Sequence, residues 1–135
     1  MQFDANAIRD MDKGFRAAFI NSISGFKPAN LVGTADSDRR TNLAIISSVV
    51  HLGSHPPLLA MFIRPSPVER HTLENLLASG CYTINHVAED FIEAAHQTAA
   101  RYDRDQSEFA ATGLNERWEP GFGAPFVAEA AISVA

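Results

Sequence analysis

Between residues 31 and 63 the sequence offers three short apolar runs separated by abrupt breaks, and this punctuation restricts the fold more than any other feature. Residues 31–35, Leu-Val-Gly-Thr-Ala, run into the wholly polar Asp36-Ser37-Asp38-Arg39-Arg40, which reads as a hairpin loop. The chain returns through residues 42–50, where Ile45, Ile46, Val49 and Val50 are β-branched and favour a strand over a helix. Gly53 and the Pro56-Pro57 pair mark another turn before a third strand at residues 58–63, which Pro65 and Pro67 stop. Residues 81–87 alternate well enough for a fourth strand, and residues 127–134 read as a fifth.

Helical patterns interrupt these strands. Ile8, Met11, Phe15 and Phe19 recur at spacings of three and four, predicting an amphipathic helix over residues 6–19. A short helix over residues 72–79 places Leu73, Leu76 and Leu77 inward and stops at Gly80. Residues 88–101 are alanine-rich and read as another helix, with Ile92, Ala95 and Ala99 on one side. A charged connector follows, with a turn of helix near Phe109, then a glycine- and proline-bearing loop over residues 119–125. Strands joined by short loops, with helical excursions, predict a mainly β, α+β barrel-like fold rather than a regular βαβ sheet. At 135 residues the chain makes one domain, residues 1–135. Its last five residues, Ala-Ile-Ser-Val-Ala, look like a strand with nothing after it to pair or cover it, so further residues are expected to belong to the native domain.

A net charge of −5 and a pI near 5.4 argue against a general binder of nucleic acid or anionic membrane, although a local basic loop can still hold a small anion. One cysteine, Cys81, excludes an intramolecular disulfide. No stretch approaches the roughly 18 consecutive apolar residues of a membrane span. The first fifteen residues carry acids and no apolar core, unlike a secretory signal, so a cytoplasmic location is expected.

The basic stretch is Arg64-Pro65-Ser66-Pro67-Val68-Glu69-Arg70-His71-Thr72-Leu73-Glu74-Asn75. Two prolines stiffen a loop bearing Arg64, Arg70 and His71, and Thr72 and Asn75 fall on one face of the following helix. A helix N-terminus adds unpaired N–H groups and a positive dipole, so one reading of these residues is a phosphate cradle. A second reading is capping: Ser66-x-x-Glu69 has the form of a capping box, and His71 or Thr72 can cap a later start. Both readings stand on the pattern alone. Ser47-Ser48 either bond a planar ring or a phosphate, or simply end a strand.

Other chemistry has weaker support. His51 and His55 are four apart, but Gly53 and Pro56 oppose a helix, and neither H-E-x-x-H nor a cysteine pair is present for a metal. Cys81 follows a glycine with no catalytic signature around it. His96 lies in a polar helix end whose solvation accounts for it. Neither G-x-G-x-x-G nor G-x-x-x-x-G-K-[ST] occurs, so a nucleotide must be held by another kind of site.

The order of the pieces resembles the flavin reductase-like family. Asn30 to Ala35, Thr41 to Ser48, His55-Pro56-Pro57-Leu58-Leu59, Arg64-Pro65, Thr72-x-x-Asn75, Tyr82-Thr83-Ile84-Asn85, Ser107-Glu108-Phe109 and Gly113-Leu114 follow one another as they do there. The resemblance implies an FMN-binding split β-barrel with helical excursions, lacking later strands that the family usually has. By position it makes Ser47, Ser48, Arg64, His71, Thr72 and Asn75 candidate FMN contacts, although His71 departs from the acidic residue common before that threonine. It implies a flavoprotein oxidoreductase that moves a hydride between NADH or NADPH and flavin, with no side chain acting as nucleophile or general base. An FMN-binding electron carrier without reductase turnover is the alternative, and a split barrel that has lost its cofactor is a third reading. It also implies a homodimer with flavin near the interface, for which Val49-Val50, residues 58–62 and residues 94–99 are the candidate contact surfaces.

Overall fold

The computed structural model of the chain describes residues 2–64 and 70–135. Two aspartates divide the N-terminal helical pattern. Asp4 accepts from Ala7 N at the start of α1 (Ala5–Asp10), and Asp12 accepts from Gly14 N and Phe15 N at the start of α2 (Lys13–Ser22). Each carboxylate satisfies donors that a helix start leaves unpaired. The single helix expected over residues 6–19 is therefore two, broken where Asp12 begins a new cap.

β1 (Asn30–Ala35) and β2 (Thr41–Ile46) form the expected hairpin, with Asn30 opposite Ile46 and Ala35 opposite Thr41. Its loop is closed by Asp36, whose side chain accepts from Asp38 N, Arg40 N and Arg40 Nε, while Arg39 adopts a left-handed φ of 60°. The continuous strand expected over residues 42–50 does not form. The chain leaves the sheet at Ser47-Ser48, and β3 (Val49–Ser54) pairs instead with β4 (Pro57–Met61) in a separate two-stranded sheet. Ser48 fixes this change of partner: its Oγ donates to Phe62 O at 2.6 Å, and Phe62 N donates to Ser48 O at 2.9 Å.

α3 (His71–Ser79) ends where expected, on Gly80, whose φ of 65° suits a residue without a Cβ. Its buried face differs from the expectation. Thr72 and Asn75 are buried, whereas Leu77 is 74% exposed, because the sheet surface beneath the helix presents Thr34 and Asn42. Asn42 Nδ2 donates to Thr72 Oγ1 at 2.9 Å and Asn75 Nδ2 donates to Thr34 Oγ1 at 3.2 Å. Polar partners below select a polar face above.

β5 (Thr83–His86) pairs with the other side of β1. The helix expected over residues 88–101 shortens to a 3₁₀ turn (Glu89–Phe91) and α4 (Ile92–Gln97), which bury Phe91 and Ala95 and leave Ile92 exposed. Thr98 ends α4 by donating to Ala95 O. α5 (Glu108–Thr112) is the turn of helix expected near Phe109. β6 (Glu116–Arg117) pairs with β7 (Phe126–Val127), and β8 (Ser133–Val134) pairs with β5. The fifth strand expected over residues 127–134 is thus two short ones in different sheets, and its last residues pair with β5 at the edge of the large sheet. The large sheet has the order β2-β1-β5-β8. Among the described residues no helix is long and apolar enough to cross a membrane.

Leu31, Leu43, Phe91, Ala95, Phe109, Leu114 and Val127 make the apolar core. Within it Asn85, wholly buried, uses its full amide: Nδ2 donates to Leu31 O and Thr83 Oγ1, and Oδ1 accepts from Val127 N and Ser133 Oγ. Gly33 lets the segment before β7 close on the sheet. A Cβ there would overlap Pro125 O and lie 2.7 Å from Thr83 Oγ1, which itself donates to Pro125 O. Gly33→Ala is expected to lower unfolding free energy by about 1–3 kcal/mol, since backbone must move to admit the methyl. Gly53→Ala, whose nearest neighbour would be Pro56 O at 3.4 Å, is expected to be milder. Urea denaturation of the two variants beside the parent chain measures the difference.

Candidate functional site

The change of sheet at Ser47-Ser48 opens a cavity of about 500 Å³. Ile45, Ile46, Ser47 and Ser48 form one side at the end of β2, and Val50 and Phe62 from the β3–β4 hairpin form another. The end of α2 and the connector to β1 contribute Asn21, Ser24, Phe26, Lys27 and Pro28. Arg64 and Arg70 close the remainder. Three cations, Lys27, Arg64 and Arg70, therefore line this space, and no carboxylate does among the described residues. In a chain of net charge −5 that concentration is local and suits an anion.

The basic loop and α3 meet here. Arg70 occupies the cap position of α3 in an extended conformation and makes no side-chain capping bond. Neither His71 nor Thr72 caps the helix, which begins at His71 itself. The proposed capping pair Ser66 and Glu69 lies outside the described residues. The start of α3 thus brings backbone N–H groups and a positive dipole end close to Arg70 without a side-chain cap. Asn30 adds a further polar group. It is buried, its Nδ2 has no acceptor among the described residues, and its cross-strand neighbour Ile46 lines the cavity.

Of the residues singled out by the sequence, Ser47, Ser48 and Arg64 come together on this cavity. His71, Thr72 and Asn75 are not among its lining residues. Thr72 and Asn75 hold α3 to the sheet, and His71 and Asn75 border a small crevice with Asp36, Arg40, Arg104 and Glu108. His96 is exposed on α4 and also stands apart from the cavity. The sequence reading missed Lys27 and Phe26, since a single lysine and phenylalanine in a connector carry no pattern. Arg70 was visible as part of the basic loop but was not assigned. Among the described residues no group of three His, Cys, Asp or Glu side chains is placed to share a metal ion.

The crevice holds a buried acid. Glu108 opens α5, and its Oε2 accepts from Leu43 N on the edge strand β2 at 2.9 Å. Burial pushes its pKa up, and the Leu43 N–H, its own backbone N–H and the charge of His71 oppose that rise. An acid whose folded-state pKa lies above its unfolded value loses stability as pH rises from the ordinary glutamate range through the folded value. Glu108→Gln retains an acceptor for Leu43 N–H and removes the ionisation. Thermal melts between about pH 4 and about pH 8 should show the parent chain losing stability relative to the variant as pH rises. The opposite trend would mean that the ionised carboxylate is the favoured form.

The family profile described as a flavin reductase like domain matches residues 24–135. A mixed sheet-and-helix domain with a cation-lined cavity at a strand switch is the class of protein that the structure defines. The chain belongs to the flavin reductase-like family, and its fold is the split barrel of that family. A protein of Shewanella frigidimarina described as a candidate flavin reductase with a split barrel domain is 54% identical, with a TM-score of 0.92 over 98% of this chain and 66% of that one. At 21% identity, the 2-nitrobenzoate 2-nitroreductase of Pseudomonas fluorescens has a TM-score of 0.81 over 98% of this chain and 62% of its own. Component B of the nitrilotriacetate monooxygenase of Bacillus cereus gives 19%, 0.84, 98% and 65% for the same quantities. The latter two establish the fold alone. The chain spans about two thirds of the length of these structures. No curated protein sequence matches it.

Proposed function

We propose that the cavity at the strand switch binds FMN and that the protein is an oxidoreductase passing a hydride between NADH or NADPH and flavin. The observation that carries this reading is the joining of Ser47, Ser48, Arg64 and Arg70 beside the start of α3 in a cavity free of carboxylates among its described lining. The residues fit the group. Guanidinium groups and helix N–H donors suit a phosphate, and serine hydroxyls with Ile45, Ile46 and Phe62 suit a planar ring bearing polar edges. A volume of about 500 Å³ lies in the usual range for such a ligand. When bound, the flavin supplies the redox chemistry.

The protein's part is to hold and orient. Arg64 and Arg70 neutralise the phosphate, Ser47 and Ser48 orient the ring, and the Asn42–Thr72 and Thr34–Asn75 hydrogen bonds fix α3 so that its start faces the ligand. Thr72 and Asn75 thereby act on the site through the helix. No side chain is required as nucleophile or base. Arg64→Ala is expected to weaken FMN binding by about ten- to a hundredfold while leaving riboflavin nearly unchanged, the loss of one charge-assisted contact. Fluorescence titration with both flavins measures this, and equal losses for both would sink the phosphate assignment. Steady-state NADH oxidation with added FMN separates a reductase from an FMN-binding electron carrier.

A homodimer and a cytoplasmic location belong to the same reading. The β3–β4 hairpin exposes Val50, Leu52, Leu58 and Leu59, and Phe62 directly after it is exposed too, with Leu52 at 63% and Phe62 at 61%; Val50 and Phe62 also line the cavity. Exposed apolar surface of that kind calls for a partner. Two earlier candidates drop out: Val49 and Ala95 are buried within the chain's own core. Sedimentation at micromolar concentration is expected to show a dimer, and Leu52→Glu with Leu59→Glu should convert it to monomer. A parent chain that binds FMN stoichiometrically as a monomer would refute the assembly.

A further inference from the structure

We propose that Asn30 is a binding residue of the cavity, its Nδ2 donating to an acceptor on the ring of the bound flavin. This inference rests on the flavin reading above and adds a residue that belongs neither to the basic loop nor to the serine pair. Asn30 opens β1 and is 2% exposed, so bulk water does not serve its amide. Nδ2 nevertheless has no acceptor among the described residues. The other buried side-chain amides there are all used: Asn42 donates to Thr72, Asn75 to Thr34, and Asn85 to Leu31 O and Thr83 Oγ1. A buried donor left unpaired costs free energy that an apolar side chain of similar shape would not. Leu31 and Val32 follow in the same strand, both wholly buried, so burial alone would favour an apolar residue at position 30 as well.

The place of this amide in the sheet indicates its partner. Alternation along β1 puts Asn30, Val32 and Thr34 on one face, and directly opposed residues share it, so Asn42 and Ile46 of β2 belong to the same face. α3 covers the Thr34–Asn42 end through its two side-chain bonds. The Asn30–Ile46 pair lies at the other end, where Pro28, Ile46 and Ser47 line the cavity. The donor therefore stands by the wall that carries Ile46 and the serines, the wall assigned above to the planar ring. A partner there has to bring an acceptor and keep water out. One edge of an isoalloxazine ring carries two carbonyl oxygens and unprotonated nitrogens, whereas its dimethylbenzene end offers no acceptor. A donor at this wall thus selects the orientation of the ring as well as its presence.

Asn30→Leu keeps the volume and removes the donor, and Asn30→Val does so with a β-branched residue that suits a strand. The full chain and both variants are compared by urea denaturation without ligand and by fluorescence titration with riboflavin and with FMN. The ligand-free midpoint is expected to hold or rise, because an unpaired donor is gone. Riboflavin and FMN should both weaken by about tenfold, the loss of one buried hydrogen bond. That pattern differs from the one expected of Arg64→Ala, which spares riboflavin. The proposal is overturned if both variants denature at lower urea without ligand, which would mean that the protein itself holds the amide. It is overturned equally if FMN alone weakens, which would make the phosphate its partner, or if neither flavin weakens. A parent chain that binds neither flavin would instead overturn the flavin reading itself, and this inference with it.

Discussion

A single buried amide ties the large sheet to the segments that close over it. Asn85 sits in the middle of β5 and satisfies both amide atoms twice, reaching Leu31 O on β1, Thr83 Oγ1 on its own strand, Val127 N on β7 and Ser133 Oγ on β8. A buried amide with any of these missing would be a liability of a few kcal/mol, so the four partners are mutually dependent. The C-terminal segment has little regular structure of its own. Its place is set by Asn85 and by the close approach that Gly33 permits at Pro125.

From that frame the cavity follows. β1 is held on both sides, by β2 and β5, so β2 becomes an edge that cannot extend indefinitely. At Ser47-Ser48 the chain turns to pair with itself through β3 and β4, and the space between the two sheets is the cavity. The other flank of β2 is covered by Glu108, which occupies the N–H of Leu43 that a bare edge would offer to another chain. Edge and cavity are therefore two outcomes of one strand being left with a single sheet neighbour.

Much of this was legible in the sequence, and the misses have physical causes. The 36–40 hairpin loop, the Gly80 stop and the family resemblance rest on local turn chemistry and order, which need no tertiary information. The unbroken strand over 42–50 failed because β-branched residues on both sides of two serines look continuous, and the change of partner depends on Phe62, fourteen residues after Ser48. Of the leucines expected inward on α3, Leu77 alone is exposed, while Leu73 and Leu76 are half-buried; periodicity counts apolar residues, whereas the sheet beneath presents Thr34 and Asn42. Ser47, Ser48 and Arg64 were readable as candidates from strand ends and charge. Lys27 and Phe26 were not, since only the folded connector brings them to the same wall.

The β3–β4 hairpin has consequences for motion as well as for binding. Its residues share few buried contacts with the core, since only Val49 among them is fully buried. Segments of that kind open locally at free energies well below global unfolding. Its amide hydrogens are therefore those that solvent reaches first, while β1, buried along its whole length, exchanges only when the domain opens. Any molecule that bridges Ser48 and Phe62 selects the closed hairpin, and mass action then adds RT ln(1 + L/Kd) to its local stability, L being the free concentration of that molecule. The same two residues that redirect the chain between sheets would thus set how often the cavity wall is present at all.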